Sequence, residues 1–132
     1  MKTIVTLTEK GNELWNNVTE KIEEAVVCSK KPLGEYTEED LLATIVVEIE
    51  SDEGCAVLEL EDPENLEEAS DAYQRLKKLE LIECLKHGSC DLCKCDKLAE
   101  AWCPFKKLVD GGILRKAFKL GIEQGYVELE RR

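Results

Sequence analysis

Five of the seven cysteines in this 132-residue chain fall close together: Cys84, Cys90, Cys93, Cys95 and Cys103. Thiolates are soft ligands suited to zinc, copper(I) and iron–sulfur clusters. The turn Cys90-Asp91-Leu92-Cys93 has the spacing that brings two sulfurs to one metal, with more distant ligands completing the site. A cluster site uses Cys84, Cys90, Cys93 and Cys103, the last followed by Pro104 as in bacterial ferredoxin runs, and leaves Cys95 over. A zinc site uses any four donors among the five cysteines and His87, closed and tetrahedral, and braces the segment. The metal stays open between a [4Fe-4S] cluster, which is preferred, and Zn2+. Lys86, Lys94 and Lys97 offset thiolate charge in either case. Because four cysteines suffice, the single histidine, His87, is expected as an exposed loop side chain. Cys28 and Cys55 stand apart and read as buried structural thiols.

Little else points to catalysis. His87 lies three residues from both Cys84 and Cys90, the one Cys/His pairing available, and there it competes with metal binding. The chain has no G-x-G-x-x-G, Walker A or H-E-x-x-H motif. The C-x-x-C pair does not follow a βαβ pattern, so a thiol redox carrier ranks third among the function classes. A non-enzymatic protein is expected. No apolar run reaches the ~18–20 residues of a membrane span. The start of the chain does not resemble a secretion signal, so disulfides are not expected and a cytoplasmic location is.

Charge is unevenly placed. The net charge of −11 excludes a uniformly basic, nucleic-acid-coating protein. Residues 1–71 nevertheless hold five lysines and no arginine against twenty acids, whereas residues 72–119 hold eleven Lys/Arg against six acids. Two faces with different partners are one reading of this asymmetry, and charge-rich helices solvating their outer sides are the other.

The elements that must position the cysteines are legible in outline. Residues 3–7 alternate as a strand, and Thr8 can cap a helix carrying Leu14, Trp15, Val18 and Ile22. Trp15 and this helix are available for a dimer interface or for covering the core. Thr37 and Asp40 have the form of a capping box ahead of Leu41, Leu42, Ile45, Val46 and Ile49. Ala56, Leu58 and Leu60 alternate as a strand. Asp62-Pro63 opens a helix whose apolar face is Leu66, Ala69, Tyr73, Leu76 and Leu79, and Leu81, Ile82 and Cys84 follow as a short strand. After the cysteine segment come a turn or two of helix, the Gly111-Gly112 break, a helix from Ile113 to Ile122 with Gly125 at its C′ position, and a strand at 126–130. The expected fold is one α+β domain, residues 1–132, of helices with a small antiparallel sheet. The cysteine-rich insertion at 84–103 is metal-braced, and a C-terminal helix and strand follow.

The string Ala72-Tyr-Gln-Arg-Leu-Lys-Lys-Leu-Glu-Leu-Ile-Glu-Cys84 resembles winged-helix regulators, in which a basic "RLKKLE" stretch ends the recognition helix and an "LIE" strand enters the wing. The resemblance covers roughly residues 37–85, with 126–130 as returning wing strand. A second stretch, Val5 to Leu14, is similar to the "LTEKG" that follows the wing in such proteins, although here it opens the chain. The cysteine segment looks like the cysteine-bearing wing of the winged-helix accessory proteins of bacterial ferrous-iron transport. It is also loosely similar to the iron–sulfur winged-helix subunits of archaeal and eukaryotic transcription machinery. Here the loop is longer, and Cys95 has no place in the pattern. The resemblance implies a metal-binding transcriptional regulator or transcription-associated factor whose helix 72–79 enters a major groove, with Gln74, Arg75, Lys77 and Lys78 meeting phosphates or base edges. Its partners are then double-stranded DNA or a transcription complex. The alternative is a protein–protein interaction module with a structural zinc or cluster and an acidic docking face.

Overall fold

A computed structural model describes residues 2–17, 35–87 and 103–131. Within them the chain is α+β: strand β1 (Lys2–Leu7), helix α1 (Glu9–Asn17), helix α2 (Glu38–Ser51), strand β2 (Cys55–Glu59), helix α3 (Leu66–His87), helix α4 (Pro104–Asp110), helix α5 (Ile113–Glu123) and strand β3 (Val127–Arg131). The sheet has the order β2-β1-β3, and both pairings are antiparallel. Alternation along β1 buries Thr3 and Val5. Val5 faces Ala56 on one side and Leu129 on the other. Ala56, Leu58 and Val127 complete the inner face, while Cys55, Val57, Glu59, Glu128 and Glu130 point outward.

Helix α2 packs against α1, α5 and the sheet. It buries Leu42, Ala43, Thr44, Ile45, Val46, Glu48 and Ile49, so its apolar residues show little one-sided periodicity. That is why the run ATIVVEIE reads as helix or strand from pattern alone. The capping box decides it. Asp40 N–H donates to Thr37 Oγ1 at 3.2 Å, and Thr37 N–H donates to Asp40 Oδ2 at 3.1 Å.

Helix α5 lies between α2 and α3 and buries Ile113, Leu114, Ala117 and Phe118. Phe118 stacks on Tyr73 of α3 at 4.4 Å between centroids and 4° between planes. A Schellman turn ends α5: Tyr126 N–H reaches Gly121 O and Gly125 N–H reaches Ile122 O, with Gly125 at φ 79°. The same turn seats α1. Thr8 Oγ1 donates to Gly125 O and accepts from Gly11 N–H, and Thr8 N–H donates to Tyr126 O. Thr8 is thus both the N-cap of α1 and a clasp across the two ends of the chain.

Two expected boundaries are corrected. Asp62-Pro63 forms a turn rather than a helix start. Helix α3 begins at Leu66, after Asn65 Oδ1 accepts from the N–H groups of Glu67 and Glu68. No strand forms at 81–84, because α3 runs unbroken for 22 residues to His87. The chain meets no glycine or proline between Leu66 and His87, and Leu, Lys, Glu and Ala dominate. Leu81 continues inward, one and two turns beyond Lys77 and Tyr73. The 126–130 strand therefore pairs with β1, as β3, and not with a wing strand. The continuation of the first helix beyond Asn17, the Lys31-Pro32 stop, and residues Leu98, Ala101 and Trp102 lie outside the described residues.

A methyl group at Gly11 would overlap the Tyr126 carbonyl oxygen, which is backbone and cannot swing away. Gly11→Ala is expected to destabilise the protein by about 1–3 kcal/mol, read as a lower urea midpoint at unchanged slope.

Candidate functional site

Helix α3 carries Gln74, Arg75, Lys77, Lys78, Cys84 and His87, so its rotation about its axis decides what each can do. The inward face is Ala69, Ser70, Tyr73, Lys77 and Leu81. Lys77, read from the sequence as a DNA contact, is 1% exposed. Its Nζ donates to Oδ2 of Asp52, the C-cap of α2, and to Glu80 Oε2 at 3.0 Å, stands 3.9 Å from Glu48 Oε2, and lies 5.4 Å from the Tyr73 ring centroid. Burial alone would lower the Lys77 pKa. The Asp52 hydrogen bond and the charges of Glu48, Glu80 and Asp52 outweigh it, so the amine is held charged above its ordinary range. Glu48 responds in the opposite sense. Burial pushes its pKa up to about 7, Lys77 opposes that rise, and Asp52 and Glu80 add to it. The Tyr73 hydroxyl is buried without a hydrogen-bond partner, and burial followed by the same three carboxylates drives its pKa well up.

Gln74 is also engaged inside the fold. Its Nε2 donates to Val109 O near the end of α4, and its Oε1 accepts from Arg115 N–H at 3.0 Å. That amide belongs to the first turn of α5, whose N-cap, Gly112 at φ 71°, has no side chain to offer. Gln74 therefore caps α5 from a neighbouring helix and clamps the Gly111-Gly112 turn. Arg75 and Lys78 stay on the outer face, exposed, with no ion pair among the described residues. Of the four side chains read as nucleic-acid contacts, Lys77 is buried, Gln74 is half-buried and committed to hydrogen bonds within the fold, and two face outward.

The apolar face is corrected with them. Leu79, expected inside, is 62% exposed, and Ile82 is 40% exposed. Sequence reasoning placed the leucines inward and the lysine outward; the helix does the reverse at 77 and 79. The missed signal was Glu48, an acid in a helix otherwise almost wholly apolar between Leu41 and Ile49, with Asp52 four residues on at the C-cap.

The cysteine segment is entered from α3 and left into α4. Cys84 is half-buried in the penultimate turn of α3, two turns beyond Lys77 on the same side of the helix. Cys103 is the N-cap residue of α4, half-buried and packed against the core. Neither forms a disulfide. Helices α3 and α4 are in contact, and Gln74 fixes the far end of α4, so both ends of the intervening segment are anchored on one packed pair. Cys90, Cys93 and Cys95 lie outside the described residues, as does Cys28. Among the described residues no group of three or more His, Cys, Asp or Glu side chains is placed to hold a metal ion. His87 is exposed as expected but ends a helix rather than lying in a loop, its Nε2 3.2 Å from Glu83 Oε2. Cys55, expected to be buried, is exposed: the inward phase of Ala56 and Leu58 turns residues 55, 57 and 59 outward.

Among the described residues no helix is long and apolar enough to cross a membrane. In comparisons with known proteins, no family model, curated protein or solved structure matches this chain.

Two outcomes follow from the buried cluster. Lys77→Met leaves three carboxylates without their cation and is expected to cost about 2–4 kcal/mol. This lies toward the low side of fully buried pairs because Asp52 and Glu80 keep water contact. Glu48 binds its proton more tightly folded than unfolded, so its contribution to stability should fall as pH rises from about 4.5 to about 7. Glu48→Gln should flatten that slope relative to wild type in urea titrations taken at each pH. An unchanged slope would show that Glu48 is not the group responsible.

Proposed function

We propose that the protein is a non-enzymatic, metal-braced interaction module. The observation that carries this reading is the direction in which α3 faces. Lys77 and Gln74 hold the fold together, so half of the side chains that would have met DNA act internally. An acidic surface is available for a basic protein partner on the outer side of the sheet. There Val57 is 46% exposed, opposite Ile4 and among the exposed Glu59, Glu128 and Glu130. In this reading one metal, a [4Fe-4S] cluster or Zn2+, is held by four thiolates drawn from Cys84, Cys90, Cys93, Cys95 and Cys103. Its support is the anchoring of Cys84 and Cys103 at the two ends of the segment. The metal's role is to order that segment.

A second reading is favoured by one observation, the exposure of Arg75 and Lys78 on a single helix face. In it the chain is a winged-helix regulator, and these two side chains contact duplex DNA.

The test is anaerobic purification with metal analysis and a visible spectrum. A brown protein with about four irons per chain supports the cluster; a colourless one with a single zinc supports the brace. Metal and local order should be lost in Cys93→Ser. Wild-type metal content in that variant would show the ligand set to be wrong. Salt titration of duplex DNA binding separates the two readings. The regulator requires affinity that falls steeply with salt and a slope that drops by about one in Lys78→Ala. The interaction module requires no duplex binding at low salt with metal present.

A further inference from the structure

We propose that the outer face of α3 is a docking surface for an acidic amphipathic helix of a partner protein. The surface is distinct from the acidic sheet face. Leu79 and Ile82 are the two most exposed large apolar side chains of this helix, at 62% and 40%. They are separated by i,i+3 and stand on the side opposite Tyr73, Lys77 and Leu81. One turn before Leu79 on the same face comes Arg75, and one turn after Ile82 comes Lys86; Lys78 flanks the pair. The row 75, 79, 82, 86 has the spacing of a short helix–helix seam, with an apolar centre and cationic ends.

Charge selects the occupant. The protein carries a net charge of −11, yet this face presents three cations, of which only Lys86 is ion-paired among the described residues, to Glu83 at 3.9 Å. Docking two copies through this face would set Arg75 and Lys78 against each other in a parallel pair, or against Lys86 in an antiparallel one. Like charges so placed disfavour a homodimer. A partner helix with leucines on its seam and glutamates flanking them would cover Leu79 and Ile82 and satisfy the cations together. A purely phosphate-binding face has no use for the two apolar side chains at its centre. Helix α3 keeps a lysine inside and leaves a leucine and an isoleucine outside, the reverse of what packing alone would select.

The probe is a synthetic helix of about three heptads, leucine at the seam and glutamate at the flanking positions, titrated into the isotopically labelled full-length protein. Amide shifts should be confined to α3, centred on residues 75–86. Leu79→Ser/Ile82→Ser and Arg75→Glu/Lys78→Glu should each weaken binding roughly tenfold or more, and a peptide with lysine in place of glutamate should recover affinity for the second variant. All four positions are on the surface, so circular dichroism and thermal midpoint should stay near wild type. The proposal is overturned if no shift appears up to about millimolar peptide. It is overturned equally if the serine variant binds as wild type does. Duplex DNA shifting the same amides, unaffected by the serine substitutions while the peptide fails to bind, would make the face a nucleic-acid surface instead.

Discussion

A single ammonium group buried between two helices sets the rest of this structure. Lys77 leaves water to sit among Asp52, Glu80 and Glu48, and an unpaired amine there would be far costlier than the same residue on the surface. Its three carboxylates come from both helices: Glu48 and Asp52 near the end of α2, Glu80 one turn along α3. The cluster therefore ties the C-terminal end of α2 to α3, two helices otherwise separated by α5, and fixes which way α3 faces. Once Lys77 points inward, the 100° step of a helix dictates the remainder. Tyr73 stacks on Phe118, Leu81 joins the core, Gln74 reaches the α4–α5 turn, and Leu79 and Ile82 are left in water.

This orientation alters the meaning of the charge count. The stretch 72–119 is basic in sequence, but part of that charge is spent within the fold. Lys77 is enclosed, Arg115 pairs with Glu67 and Asp71, and Lys119 pairs with Glu67. The pairs on Glu67 are exposed and stabilise little by themselves; they lower the Glu67 pKa and tie the start of α3 to α5. Three of the cations left for a partner, Arg75, Lys78 and Lys86, lie around an apolar pair. That combination fits helix docking better than it fits a phosphate backbone. The acids of the first half divide likewise: Glu48 and Asp52 serve Lys77, and others, such as Glu59, remain on the outer sheet.

Much of the architecture was legible wherever a local hydrogen-bonding device or a clean period carried it. The Thr37–Asp40 box, the Thr8 cap, the Gly125 turn, the alternation of Val5, Ala56 and Leu58, and the helix from Ile113 all form as their residues require. These signals act within a few residues, so no distant contact is needed to read them. The cysteine grouping was equally plain, being a matter of residue type and spacing, and the described structure places its first and last members on a packed helix pair.

The chain order of residues by itself determined the class of fold, most of the element boundaries and the thiol-rich segment, because propensity, capping and alternation are local. Tertiary structure alone decided that β1 is the central strand and that Lys77 is buried while Leu79 is exposed. A lysine on a helix is ordinarily a solvent residue. Glu80 stands one turn away, but the other two carboxylates that make its burial favourable, Glu48 and Asp52, lie twenty-five and more residues earlier in the chain, outside any local window around Lys77.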